Sequence, residues 1–80
     1  MFFGIVIYMY YDDHPPPHFH AQYDGNDCMF SLDGELIKGA MPPRALKLVK
    51  EWTELNQDEL HKNWERSVSD MPLNWIKPLR

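Results

Sequence analysis

From Phe3 to Tyr11 the chain is aromatic and β-branched, with no breaker after Gly4, and this predicts a first strand over 3–11. Ile5, Ile7 and Met9 share one face; Val6, Tyr8 and Tyr10 share the other. Both faces are apolar, which predicts a central strand or one covered on both sides. Asp12 to Pro17 breaks the pattern, because three consecutive prolines cannot join a central ladder. Alternation then returns. Phe19, Ala21 and Tyr23 fall on one side, His18, His20 and Gln22 on the other, predicting a second strand over 18–24 with a core face and a polar face. Asp24-Gly25-Asn26-Asp27 is a turn signal, and Cys28, Phe30 and Leu32 alternate through a third strand over 28–32. Asp33-Gly34 predicts a type I′ hairpin into a fourth strand over 35–38.

The period then changes. Pro43 suits a first helical turn, where its missing N–H costs nothing. Ala45, Leu48, Val49, Trp52 and Leu55 follow at spacings of three and four, predicting a helix over 43–55 with one apolar stripe. Asn56, three residues before Glu59, resembles the start of a capping box, and Leu60, Trp64 and Val68 continue at i, i+4 and i+8. A second helix over 57–69 follows. The tail 72–80 mixes two prolines with Leu73, Trp75, Ile76 and Leu79 and is expected to pack on the body. Strands first and helices after predict an α+β fold: a small antiparallel meander of about four strands, then two helices packed on one face.

Eighty residues predict a single domain, and four Phe, four Tyr and three Trp supply a dense core for it. A net charge of −4 argues against a protein whose main task is gripping phosphate backbones, and leaves nucleic-acid contact open. Cys28 stands alone, so it forms no intramolecular disulfide; it suits a reducing compartment and reads as a small buried hydrophobe. No run approaches the roughly 20 apolar residues of a membrane span, and the apolar start lacks a basic region and a cleavage site. A cytoplasmic protein is the resulting expectation.

The candidate chemistry lies in Asp12-Asp13-His14-Pro15-Pro16-Pro17-His18-Phe19-His20, which holds three of the four histidines. Imidazole titrates near neutral pH and is the commonest metal ligand, so this set suits an acid–base pair or a divalent transition metal. His18 and His20, two apart on a strand, point the same way with Cα atoms about 6.7 Å apart. A straight polyproline run would hold His14 about 12 Å from His18. A bent loop or a cis proline would bring it in. Catalytic candidates are therefore His14, His18 and His20 with Asp13 as orienter; the metal set is His18, His20 and His14. Asp33 and Glu35 read as a solvated hairpin, His61 as surface, and Trp52 and Trp64 as core. Arg44, Lys47 and Lys50 read as a solvated helix face; the other reading makes Arg44 and Lys47 a small phosphate- or partner-binding patch.

Phe2 to Tyr10, Asp13-His14-Pro15-Pro16-Pro17-His18-Phe19-His20-Ala21, Asp33-Gly34-Glu35, Pro43-Arg44-Ala45-Leu46, Glu51-Trp52, Glu59-Leu60 and Asn63-Trp64-Glu65 together resemble the bacterial family catalogued as domain of unknown function 4160. The family's Asp-His-any-Pro-Pro-His-any-His signature falls on Asp13, His14, Pro16, Pro17, His18 and His20. Asp12 and Pro15 are this chain's own, and Asn74-Trp75 stands where relatives tend to carry charge. The resemblance implies no assigned activity. It implies a toxin–antitoxin-like pairing, since members are often encoded beside another small domain. The leading expectation is thus an interaction module acting with an operon-encoded partner protein, with homo-oligomerisation also open. A His-based, ribonuclease-like hydrolase and a divalent-metal-binding domain stand as alternatives.

Overall fold

The structure, a computed structural model, describes residues 3–10, 14–69, 71–73 and 76. Four strands come first: β1 (Ile5–Tyr8), β2 (His18–Tyr23), β3 (Asn26–Ser31) and β4 (Leu36–Lys38). Two helices follow: α1 (Pro43–Leu55) and α2 (Gln57–Val68). The strands pair antiparallel in the order β1-β2-β3-β4. The fold is the predicted α+β arrangement, a meander followed by two helices.

The core forms where the inward faces of the strands meet the helices. Phe19 of β2 is opposite Phe30 of β3, their rings stacked with centroids 5.5 Å apart. Trp52 of α1 meets Phe19 edge-on at 5.8 Å. Ile5, Ala21, Cys28, Leu32, Met41, Ala45, Val49, Leu60 and Trp64 belong to the same buried cluster. Each large ring buried here removes roughly 150–250 Å² from water, which makes the three-ring contact the main anchor of helix to sheet.

Several local expectations change. β1 is an edge strand, not a central one, and runs over 5–8 rather than 3–11. Phe3 and Gly4 have left-handed backbones (φ 49° and 80°), which turns the chain before the strand begins. The two Asp-Gly pairs exchange roles. Asp24 and Gly25 both have positive φ between the paired Tyr23 and Asn26, so the two-residue type I′ turn is here, and β3 starts at Asn26. At Asp33-Gly34 only Gly34 has positive φ. Its N–H donates to the Ser31 carbonyl (3.0 Å) while Ser31 N–H donates to Glu35 (2.9 Å), a three-residue loop that carries buried Leu32 inward.

The helix stripes are also narrower than the apolar residues suggest. Leu55 is 70% exposed and Val68 46% exposed, whereas Thr53, Asn63 and Ser67 are buried. The reason is local satisfaction. Thr53 Oγ1 donates to the Lys50 carbonyl and Ser67 Oγ to the Trp64 carbonyl, both at 2.7 Å, and Asn63 Oδ1 accepts from Arg66 at 2.9 Å. Their hydroxyls and amide bond within their own helix, so these residues are buried without stranded polar atoms. Asn56 does not build a capping box; its amide donates back to the Trp52 carbonyl at 2.8 Å and closes α1 instead. In the tail, Leu73 is half-buried and Ile76 packs against the core, while Trp75 and Leu79 lie outside the described residues.

Close approach of α1 to the β3–β4 loop depends on Gly34. A Cβ there would collide with Thr53 Oγ1 and come within 3.3 Å of Lys50 Cα, at a φ of 89° that other residues adopt with strain. Gly34→Ala should destabilise the fold by about 1–3 kcal/mol. Thermal unfolding checks this: a fall of several degrees is expected, and an unchanged midpoint would mean α1 does not seat on this loop.

Candidate functional site

Strand period decides where the histidines go. With Phe19 directed into the core, His18 and His20 emerge from the opposite face of β2. Tyr8 of β1 is the register partner of His20, so it projects from that same face. The result is a contiguous ring cluster. His20 lies parallel to Tyr8 with centroids 5.3 Å apart and takes Tyr10 edge-on at 4.9 Å; Tyr8 and Tyr10 meet at 5.5 Å. His18 stands edge-to-face with His20 at 5.1 Å and carries the Trp64 indole of α2 at 5.2 Å.

The two histidines do share a face, but that face is not wet throughout. His18 is 4% exposed because Trp64 covers it, whereas His20 is partly exposed. Trp64 is thus both a core residue and a wall of this cluster. His18 is further held from below: its Nδ1 lies 2.8 Å from the Pro16 carbonyl oxygen. A carbonyl can only accept, so Nδ1 carries the proton and Nε2 is the basic nitrogen of the neutral ring. A backbone carbonyl fixing one ring nitrogen is a common way to orient an imidazole for base or ligand work.

The remaining candidates separate. His14 is exposed in the loop before β2, which contains a cis Pro15–Pro16 bond. Asp13, and Asp12 beside it, lie outside the described residues. Among the described residues no three His, Cys, Asp or Glu side chains are grouped to hold a metal ion. Glu35 does not approach the cluster: its carboxylate binds Lys50 Nζ of α1 at 2.7 Å, a bond that lowers its pKa and raises that of Lys50. Asp33 and His61 are exposed. Arg44 and Lys47 are exposed on α1. Cys28 is buried, its Sγ donating to the Ala40 carbonyl at 3.2 Å, and burial pushes its thiol pKa up, which holds it as an unreactive thiol.

Three members of the cluster escaped the sequence reading: Tyr8, Tyr10 and Asp27. Tyr8 Oη donates to Asp27 Oδ1 at 3.0 Å across β2. The alternation of β1 does place Tyr8 and Tyr10 on one face; what was missing is the register that lays this face beside His20.

A family model described as Domain of unknown function (DUF4160) matches residues 4–65. The chain belongs to the DUF4160 family. That span takes in the whole sheet, α1 and most of α2, and with them all the described residues of the ring cluster. No curated protein and no solved structure matches the chain.

In this DUF4160 protein the Tyr8 phenol is pushed up to about 12, by burial first and then by its bond to the Asp27 carboxylate and that group's charge. The folded pKa exceeds the ordinary value of 10, so the contribution of this phenol to stability is fully present below pH 10 and is lost as pH rises through 12. Asp27→Asn should bring the Tyr8 titration down toward 10. Ultraviolet phenolate absorbance, with Tyr8→Phe identifying the transition, measures it; an unmoved titration would mean Asp27 does not hold the hydroxyl.

Proposed function

We propose that this DUF4160 protein is an interaction module whose open sheet face receives a small partner protein encoded beside it. One observation carries the reading: α1 packs against the Phe19 face of the sheet through Trp52, and the opposite face presents a prearranged group of rings, walled at His18 by Trp64 of α2. Tyr8 and His20 are partly exposed, Tyr10 is 55% exposed, and Val6 extends the patch along β1. Tyrosine is enriched at the centres of protein interfaces because it offers large, rigid, amphipathic area. Rings that already hold one another lose little freedom on docking, which lowers the cost of association. The family's pairing with a neighbouring small domain points to the same kind of partner.

Acid–base catalysis by His18 and His20 is the second reading, favoured by the fixed tautomer of His18. It ranks lower because Trp64 covers that ring, so a substrate would have to displace the indole. Metal binding by His18 and His20 ranks third, since a described third ligand is lacking.

The test is co-expression with the product of the adjacent gene, followed by calorimetric titration. Tyr10→Ser should weaken the complex at least about tenfold, as expected for an aromatic anchor, without changing the unfolding midpoint. Wild-type affinity in Tyr10→Ser and Tyr8→Phe/His20→Ala together, or absence of a complex, would overturn the reading.

A further inference from the structure

A second feature lies on the other side of the sheet. Tyr23 is the register partner of Ile5 and so projects from the core face. Beside it, between the start of β1 and the first turns of α1, is a cavity of about 220 Å³ lined by Phe3, Tyr23, Arg44, Ala45 and Leu48. We infer that this cavity binds a small organic carboxylate with a flat apolar body.

The lining supplies the argument. Phe3 and Tyr23 are aromatic walls, and Ala45 and Leu48 are apolar floor. Among the described residues Arg44 is the one charged lining group and no carboxylate lines the cavity, although the chain has twelve acidic residues and a net charge of −4. A guanidinium is planar and donates in a fork that matches a carboxylate with two parallel hydrogen bonds. One guanidinium balances one negative charge, which fits a monoanion better than a doubly charged phosphate. Lys47 does not line the cavity, and Lys50 is paired with Glu35, so neither adds a second charge there. The volume is below the roughly 300–1,000 Å³ of sites for drug-sized ligands, which sets the size at that of an amino acid or a simple aromatic acid.

The backbone is arranged to keep this cavity. Phe3 has φ 49°, an unusual conformation for a bulky residue, and with Gly4 at φ 80° it turns the chain off the line of β1. That turn sets the Phe3 ring beside the cavity. Gly4 lies against the Tyr23 ring, where a Cβ would make ordinary contact at 3.5 Å, so it is the positive φ and not the space that favours glycine here. The single-residue consequence is that Arg44, which reads from sequence as part of a solvated basic stripe, is separated by function from Lys47 and Lys50.

The full chain, labelled with nitrogen-15, is titrated with phenylacetate, with 2-phenylethanol, with acetate and with inorganic phosphate, following amide shifts. Phenylacetate should give saturable shifts clustered at residues 3–4, 23 and 44–48. The neutral alcohol and acetate should each bind at least about tenfold more weakly, because each lacks one half of the recognised chemistry. Arg44→Gln should lose at least about tenfold in affinity while Lys47→Gln stays within about twofold, and Arg44→Lys should recover only part of the loss. Shifts that do not saturate, equal binding by Arg44→Gln, or phosphate binding as tight as phenylacetate would each overturn the assignment. Tyr10→Ser should bind phenylacetate as the wild type does, so the outcome is independent of the partner surface.

Discussion

The structure depends on the burial of Phe19. Stacked on Phe30 and met edge-on by Trp52, this ring fixes which face of β2 points inward. Side chains alternate along a strand, so a slip of one residue would send Phe19 to the surface and bring His18 and His20 into the core. Such a slip would forfeit roughly 1.5–3 kcal/mol for the phenyl ring alone and would move the partly exposed His20 imidazole among apolar neighbours. The same contact that holds α1 on the sheet therefore also orients the histidines on the far face. Core and candidate site are two consequences of one register.

That arrangement gives the sheet two chemically different sides. The helix side is apolar, with its buried hydroxyls and amide satisfied inside the helices that carry them. The open side is a surface of imidazole and phenol rings tied into the protein at three points. Pro16 holds His18, Asp27 holds Tyr8, and Trp64 closes over His18. Of the described rings here, His20, Tyr8 and Tyr10 remain accessible, which favours a surface that is touched over a reaction centre that is entered.

Much of this was legible in the residue pattern. The change from period two to period 3.6 at Pro43 marks the boundary between sheet and helices, and the element order gives the meander. The His18–His20 pairing on one face follows from alternation alone. What the pattern could not supply was long-range. β1 looks central because both its faces are apolar, yet it lies at the sheet edge, and on its open face Tyr8 and Tyr10 pack against each other while Val6 and Tyr10 stay exposed. Leu55 and Val68 look like stripe residues, but Thr53, Asn63 and Ser67 take the inward positions because small side chains allow closer packing. Two identical Asp-Gly pairs adopt different turns, since the strand register around each one sets the loop length. The burial of His18 needed knowledge that Trp64 folds back over the start of β2.

The central claim is that the register set by Phe19 turns the open face into the working surface of this DUF4160 protein. The most direct measurement is to titrate the protein with the neighbouring gene's product, the proposed partner, and follow amide and ring-proton shifts to saturation. The account predicts that the largest changes fall on Tyr8, Tyr10, His20, Gln22, Asp27 and Met29, with the exposed sides of α1 and α2 little altered. Changes confined to the helices, with the ring cluster unmoved, would contradict it.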